Sequence, residues 1–263
     1  MDVVRHTFYL CFTLIASTIL IGQSRPTPLA DQNRFSDAAQ KLFALANESR
    51  AAAGIGRLQW DTALADAAMK HCLRMSTELP VAHRYDSEPD LATRAAAAGA
   101  HFSTIEENIA VGWSLPAIHQ GWLDSPGHRK NLLNPSIDRV GIAVIQQQNL
   151  LFAVADYART VPVLTQTEVE AAFANLLRAR SLIVSRDSSE ARTYCASAGD
   201  YHGHRGDSPR FVMRWQNPDV TQLPPELVKV LASSSYQKAA VGSCPAQDIN
   251  GAFTIYRVAV LLY

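Results

Sequence analysis

Apolar residues in the first half of the chain recur every three or four positions, which is the spacing of one face of a helix. One such stripe covers residues 35–46 and predicts a helix that Gly54 ends. A second stripe covers residues 64–77, and Asp61 or Thr62 is suited to cap the helix that it predicts. The globular part of the chain is therefore expected to begin with two amphipathic helices.

Shorter helical segments and two apolar runs follow. Residues 91–98 are rich in alanine, and residues 115–122 precede the helix-interrupting pair Pro126-Gly127. The apolar runs at residues 139–145 and 150–155 are separated by four polar residues, which predicts a hairpin of two buried strands. Helices followed by adjacent antiparallel strands favour an α+β fold, with layers of helix on both sides of a sheet.

The periodicity starts again after Pro162, which marks a domain boundary. Four further segments have helical or strand spacing, at residues 169–177, 211–215, 225–231 and 254–263. No internal repeat is evident in the sequence. We predict a first domain at residues 35–162 and a small α+β C-terminal domain at residues 163–263, a size at which a domain can fold.

The N-terminal 24 residues have the layout of a secretory signal peptide. Arg5 and His6 precede an uncharged apolar run at residues 7–22, and small residues follow it. The run is shorter than the ~20 residues that span a bilayer, so we favour cleavage over an uncleaved anchor. Residues 1–24 are thus predicted to be a signal peptide and residues 25–34 a leader loop, with the mature chain secreted to the extracellular space or periplasm and lacking a transmembrane segment.

Composition and charge exclude several classes of protein. The chain has 263 residues, 48% of them hydrophobic, which is enough to build a substantial core. Lys plus Arg and Asp plus Glu number 24 each, so no net field attracts nucleic acid or an anionic membrane. We therefore expect no nucleic-acid partner.

Three cysteines remain once the signal is removed, which is an odd number for an oxidising compartment. Cys195 and Cys244 share the C-terminal third and are predicted to form a disulfide. Cys72 lies on the apolar stripe of the second helix, which suggests a buried thiol. All three pairings remain open on the sequence alone.

Chemistry-bearing residues are densest between positions 105 and 144. Glu-Asn-Ile-Ala-Val-Gly at residues 107–112 and Trp-x-x-Ser-Pro-Gly-His-Arg-x-Asn at residues 122–131 resemble motifs of the CAP superfamily, which comprises cysteine-rich secretory proteins, antigen 5 and pathogenesis-related group-1 proteins. The run at residues 47–67 resembles the opening of the same SCP-like domain, and the whole is most similar to the compact bacterial branch. The resemblance implies an α-β-α sandwich. Residues 163–263 resemble no family that we can name.

The resemblance also implies a cleft that holds two histidines and two acids. His83, Glu107 and His128 match three of these positions, whereas Ser125 occupies the place of the second acid. Two neutral imidazoles can bind Zn²⁺ with water completing its shell, and a carboxylate such as Glu107 can serve as a base if the protein is an enzyme. Because protons compete for the same nitrogens, zinc affinity is expected to fall below about pH 6.5.

Structural roles compete with each of these assignments. Both histidines could hydrogen-bond neighbouring loops, and Glu107 could act as a hinge while Asn108 fixes the adjoining turn. Arg129 is expected to pair with a carboxylate such as Asp124 or Glu107.

Two other chemical interpretations have weaker support in the sequence. Ser125 and His128 could form a nucleophile pair, but Pro126-Gly127 separates them and no Gly-x-Ser-x-Gly elbow surrounds the serine. His202 and His204 could bind a metal, although their neighbours favour an exposed loop.

The sequence thus favours a secreted binding or interaction module with a metal-capable cleft, and catalysis is not its expected role. The missing second acid is the reason for preferring binding. The alternatives are a divalent-metal-dependent hydrolase of peptide, cell-wall or phosphodiester bonds, or a carrier of lipid-like ligands. The ligand is unknown, with cell-envelope, peptide and lipid-like molecules as candidates.

Overall fold

The computed structural model describes residues 28–197, 208–233, 235–246 and 252–263. The signal peptide and the His202-His204 pair lie outside this part of the chain. Two units follow one another, each with helices packed on a four-stranded sheet.

The first unit contains five helices and four strands. Its helices are α1 (Pro28–Ala52), α2 (Thr62–Thr77), α3 (Leu91–Ala97), α4 (Leu115–Asp124) and α5 (Pro126–Leu132). Its strands are β1 (Gln59–Trp60), β2 (Phe102–Gly112), β3 (Arg139–Gln147) and β4 (Leu150–Thr160). The predicted hairpin is present as β3 and β4, whereas the sequence pattern did not reveal β2.

The strands of the first unit are ordered β1-β3-β4-β2. β1 runs parallel to β3, and the other neighbouring pairs are antiparallel. Helices α1 and α4 share one buried cluster with β3 and β4, and α2 packs with the same strands in another. The expected α+β fold with helices on both sides of the sheet is confirmed.

Local chemistry explains most of the helix ends. The Asp61 side chain accepts a hydrogen bond from the Leu64 backbone N–H and caps α2, as predicted. Two expectations were wrong. Pro28 begins α1, so most of the predicted leader loop is helical, since proline suits a first helical turn. For the same reason Pro126 starts α5 instead of only interrupting a helix.

The described residues of the second unit form three helices and four strands. Its helices are α6 (Gln166–Arg178), α7 (Ser189–Ala196) and α8 (Pro225–Ser233). Its strands are β5 (Ile183–Val184), β6 (Phe211–Asn217), β7 (Lys238–Cys244) and β8 (Tyr256–Leu262). The small α+β domain expected at the C-terminus is therefore confirmed, although β5, α7 and β7 were not predicted.

The second sheet has the order β5-β7-β8-β6. β5 is parallel to β7, and the remaining pairs are antiparallel. This is the order and direction of the first sheet, strand for strand. No sign of such a repeat is visible in the amino-acid sequence.

Each unit has its own hydrophobic core, and the chain joins them at Val161. Val161 is buried among side chains of the second unit, and the Phe102 and Phe253 rings meet edge to face across the boundary with centroids 5.3 Å apart. No helix in the described ranges is long and apolar enough to cross a membrane. The boundary near residue 162 stays a prediction.

The second unit is cross-linked as expected. Cys195 on α7 and Cys244 on β7 form a disulfide that closes a loop of 49 residues. Such a cross-link stabilises a domain by roughly 2–4 kcal/mol. Cys72 is a buried free thiol, and burial raises its pKa to about 12, so it is an inert core group.

Candidate functional site

Glu107 lies in the middle of β2 and is the centre of the candidate site. Its side chain is 3% exposed, yet both oxygens are paired. Oε1 accepts a hydrogen bond from His83 Nδ1 at 2.8 Å, and Oε2 accepts one from Arg94 Nη2 at 2.5 Å. A buried carboxylate needs such partners to remain charged. Arg94, in α3, is thus part of the site.

His83 lies on the irregular segment between α2 and α3. Its side chain is 58% exposed, in contrast to the buried Glu107 that it contacts. The hydrogen bond to Glu107 raises the pKa of His83, partly opposed by burial. Because Nδ1 faces Glu107, Nε2 remains directed away from the carboxylate. This carboxylate–imidazole arrangement is the one that orients histidine ligands in metal sites.

His128 lies in the first turn of α5. Burial lowers its pKa, and the neighbouring His83 lowers it further. The two imidazole rings have centroids 6.4 Å apart and are tilted by 54°. Both predicted histidines therefore face one shared space, with the exposed His83 on its outer side.

Two asparagines hold α5 against β2. Asn108 is fully buried, and its Nδ2 donates to the His128 carbonyl at 2.9 Å. Asn131 Nδ2 donates to the Glu107 carbonyl at 3.2 Å and to Asn108 Oδ1 at 3.0 Å. The Asn residues of the two sequence motifs thus fix the position of His128 relative to Glu107.

A buried histidine–glutamate pair lies beneath Glu107. His71 on α2 is buried, with Nδ1 2.8 Å from Glu88 Oε1 and Nε2 4.0 Å from Glu107 Oε2. Burial alone would raise the pKa of Glu88, but hydrogen bonds from His71 and the Tyr85 backbone, together with nearby positive charge, lower it. Sequence reasoning missed this pair, although a histidine on the apolar stripe of α2 signals a buried partner.

Asp156 on β4 is the cross-strand neighbour of Glu107. It is fully buried, and neither of its side-chain oxygens has a hydrogen-bond partner among the described residues. Burial raises its pKa well above the usual value, and the charge of Glu107 raises it further. Two buried acids side by side do not both ionise readily, and Glu107 has the cationic partner, so Asp156 is the protonated member.

Asp156→Asn is expected to stabilise the protein above about pH 4, increasingly as the pH rises. The folded pKa of Asp156 lies above its unfolded value of about 3.9, so the wild type loses stability as the pH rises through this interval. Asparagine does not titrate. We expect a gain of more than about 1.4 kcal/mol at pH 7 relative to pH 4, equivalent to one pKa unit. Urea unfolding from pH 4 to 8 measures it.

The exposed Asp124→Asn variant is the matched control, because its carboxylate accepts only from Gln120 at the surface. Its stability should follow that of the wild type at every pH. If the Asp156→Asn curve also ran parallel to the wild type, Asp156 would be ionised in the folded protein.

The remaining predicted residues border the site. Ser125 is the half-buried residue between α4 and α5, and its hydroxyl makes no capping bond. Arg129 is exposed, and its expected ion pair is absent among the described residues because Arg94 occupies Glu107 and Gln120 binds Asp124. That expectation was wrong.

Among the residues that the structure describes, no group of three or more His, Cys, Asp or Glu side chains is arranged to hold a metal ion. The donors available to a cation are the two imidazoles of His83 and His128. Such a pair fits an ion that keeps several waters, and does not fit a closed structural zinc site, which takes four protein ligands.

The family match found by comparison with known proteins lies in the first unit. Residues 43–157 match the sequence model of the family described as "CAP: Cysteine-rich secretory protein family". Two Bacillus subtilis proteins are similar, the uncharacterized membrane protein YlbC, 32% identical over 106 residues, and the uncharacterized protein YkwD, 30% identical over 115 residues. The matches cover 40% and 42% of this chain, and only 31% and 44% of those relatives.

Two solved bacterial structures are also similar. The first is an extracellular protein containing an SCP domain from Bacillus anthracis, with 30% identity, a TM-score of 0.47, and coverage of 52% of this chain and 45% of that one. The second is a cysteine-rich secretory protein from Staphylococcus aureus, with 21% identity, a TM-score of 0.40, and coverage of 52% and 41%.

Proposed function

We propose that this chain, whose residues 43–157 match the model of the cysteine-rich secretory protein family, is a secreted binding or interaction module with a cleft able to hold a divalent metal. The ligand is a cell-envelope, peptide or lipid-like molecule. The leading apolar run and the cross-linked second unit support export to an oxidising compartment.

The state of Glu107 is the observation that supports binding over hydrolysis. A general base needs a free lone pair within reach of a water. Both Glu107 oxygens already accept hydrogen bonds, one from His83 and one from the permanently charged Arg94. Ser125 supplies no second carboxylate. A metal-dependent hydrolase would also require a water to reach this carboxylate, whose side chain is only 3% exposed.

His83 and His128 are the residues that would hold the ion, and zinc is the proposed metal. A bound zinc supplies Lewis-acid polarisation of a ligand oxygen. Within this chain, Glu107 orients the His83 ring, and Asn108 holds the turn that carries His128. These contacts support a prearranged pair of ligands.

Calorimetric titration with ZnCl₂ tests the proposal. We expect micromolar affinity for the wild type and at least tenfold weaker binding for either His83→Ala or His128→Ala, because each removes half of the protein ligands. His101→Ala is the matched control, since this exposed histidine lies outside the cleft and should not alter binding. Equal zinc affinity in the wild type and in the double variant His83→Ala, His128→Ala would show that these histidines do not bind zinc.

The same titration across pH locates the competing proton. Because the pKa of His83 is raised, protons compete with zinc for this ring at a higher pH than for a free imidazole. As the pH is lowered, zinc affinity should therefore begin to fall before pH 6.5 is reached. Zinc-dependent turnover that Glu107→Gln abolishes would instead establish the hydrolase.

A further inference from the structure

The two units share their strand order, and two backbone features align their strands and first two helices. A Cβ on Gly141 of β3 would lie 2.0 Å from the Ala65 backbone nitrogen, and one on Gly242 of β7 would lie 2.1 Å from that of Arg192. Ala65 and Arg192 are each the fourth residue of the helix after the short parallel strand. The same close approach thus recurs at the same place.

The first helix of each unit ends in the same way. Gly54 after α1 and Ser181 after α6 have positive φ angles of 71° and 65°. The next residue then donates five positions back, from Ile55 N to the Arg50 carbonyl and from Leu182 N to that of Leu177. These closures set α1 and α6 in register with an offset of 127 residues.

Burial follows this register. The equivalent buried pairs in the first helices are Leu42 and Val169, Ala46 and Phe173, Asn47 and Ala174, and Arg50 and Leu177. In the second helices they are Leu64 and Ala191, Ala67 and Tyr194, and Ala68 and Cys195. The second unit therefore repeats the fold of the CAP domain.

At the described positions, the repeat does not include the two buried acids of the histidine–carboxylate site. Gly141 pairs with Asp156, which pairs with Glu107, across the first sheet. Gly242 pairs with Ala259, which pairs with Arg214, across the second. An exposed arginine and an alanine thus stand at the places of the two buried acids, so any ligand of the second unit must be held elsewhere.

One aromatic pair of the first unit is also replaced. Phe43 on α1 and Trp60 on β1 meet edge to face, with centroids 5.6 Å apart, and fill the space between α1 and the start of α2. Glu170 stands at the position of Phe43. Arg186 stands at that of Trp60, because the Ser185 N–H bonds the Ala239 carbonyl, three residues before Gly242, as the Gln59 N–H bonds the Asp138 carbonyl, three residues before Gly141. Here an open cavity of about 450 Å³ lies between α6 and the start of α7.

Glu170 does not leave a free negative charge in this cavity. It is buried, and its carboxylate accepts from Arg192 Nε at 2.7 Å and Nη2 at 2.8 Å and from the Ser243 backbone N–H at 2.9 Å. The other acid, Asp187, accepts from the Ser189 backbone N–H at 2.9 Å. Arg192 is thereby neutralised by an ion pair within the protein.

The donors that remain belong to two arginines, because the Ser185 hydroxyl already donates to the Asp187 carbonyl and those of Ser188 and Ser189 already pair with Glu170 and Asp187. Arg178 from α6 and Arg186 from the loop before α7 both line the cavity and are exposed. Arg178 uses Nη1 to donate to Asn175, which leaves its other N–H groups for a ligand. The hydroxyls of Ser185, Ser188 and Ser189 line the same wall.

We propose that this cavity binds a small polar molecule through an oxyanion, either a phosphate or a carboxylate. Arg178 and Arg186 would hold the anionic group, because a guanidinium matches the geometry of both kinds of oxyanion. The second CAP-like unit is in this view a separate binding domain, with chemistry different from that of the histidine cleft.

Titration of the full chain with inorganic phosphate and, separately, with acetate tests this assignment at constant ionic strength. We expect saturable binding of at least one anion. The binding is measured through changes in the amide chemical shifts of the residues that line the cavity. The double variant Arg178→Gln, Arg186→Gln should weaken it at least tenfold. Saturable phosphate binding alone identifies a phosphate site, whereas acetate binding identifies a carboxylate site.

Two further variants complete the test. Arg180→Gln removes a neighbouring exposed arginine that does not line the cavity, and it should bind as the wild type does. Val184→Trp adds a large ring at the cavity wall and should abolish binding by filling the space. Absence of saturable binding by both anions, or equal binding by the wild type and the double Arg variant, would overturn the proposal.

Discussion

Replacing Arg50 with leucine is expected to lower the free energy of unfolding by about 3 to 5 kcal/mol. Arg50 is 1% exposed, and its guanidinium donates to the carbonyls of Gly56, Leu132, Asn134 and Ile137 at 2.8–3.0 Å. These bonds tie α1 to the segment between α5 and β3. Leucine would fill part of the space and leave several buried carbonyls without a donor, which is the costly outcome.

Urea unfolding at neutral pH measures the loss. Arg159→Ala is the matched control, because that arginine is 55% exposed and lies 3.6 Å from Asp138 in a surface ion pair. Its removal should change stability by less than about 1 kcal/mol. A loss below that value for Arg50→Leu would mean that water replaces the guanidinium.

Sequence patterns were sufficient for the parts of the fold whose signals are local. The apolar stripes of α1 and α2, the Asp61 cap and the β3–β4 hairpin all depend on residues close in the chain. The site residues His83, Glu107 and His128 followed from motif resemblance, and the structure brings these three together.

The buried contacts around Glu107 join distant segments of the chain. Asp156 becomes the neighbour of Glu107 only through the register of β2 and β4. His71 acquires its role through Glu88, which lies on the irregular segment after α2. Neither pairing has a periodic signature, so spacing along the chain cannot reveal it.

The repeated fold was hidden for a similar reason. Equivalent positions keep their burial but change their chemistry, as Arg50 and Leu177 do in the first helix of each unit. What persists is backbone geometry, in the helix closures and in Gly141 and Gly242. The two units therefore share few residue types at equivalent positions, whereas their sheet topology and their close helix–strand contacts are the same.

Gly141→Ala is expected to destabilise the first unit by about 3 kcal/mol or more. The added Cβ would lie 2.0 Å from the backbone nitrogen of Ala65 and 2.2 Å from the Leu64 carbonyl carbon. Rotamer changes cannot relieve a contact with backbone atoms, so α2 must move away from β3. Gly242→Ala should cost the second unit a similar amount, because it meets the α7 backbone at 2.1–2.2 Å.

Thermal and urea unfolding measure both losses, and zinc titration separates their consequences. Because α2 carries His71 beneath Glu107, Gly141→Ala should also weaken zinc binding, whereas Gly242→Ala should leave it unchanged. Gly127→Ala is the control, since its Cβ would meet nothing within 4 Å and alanine favours a helix such as α5 by about 0.5–1 kcal/mol. Tolerance of alanine at both Gly141 and Gly242 would show that neither helix lies against its strand as closely as this packing requires.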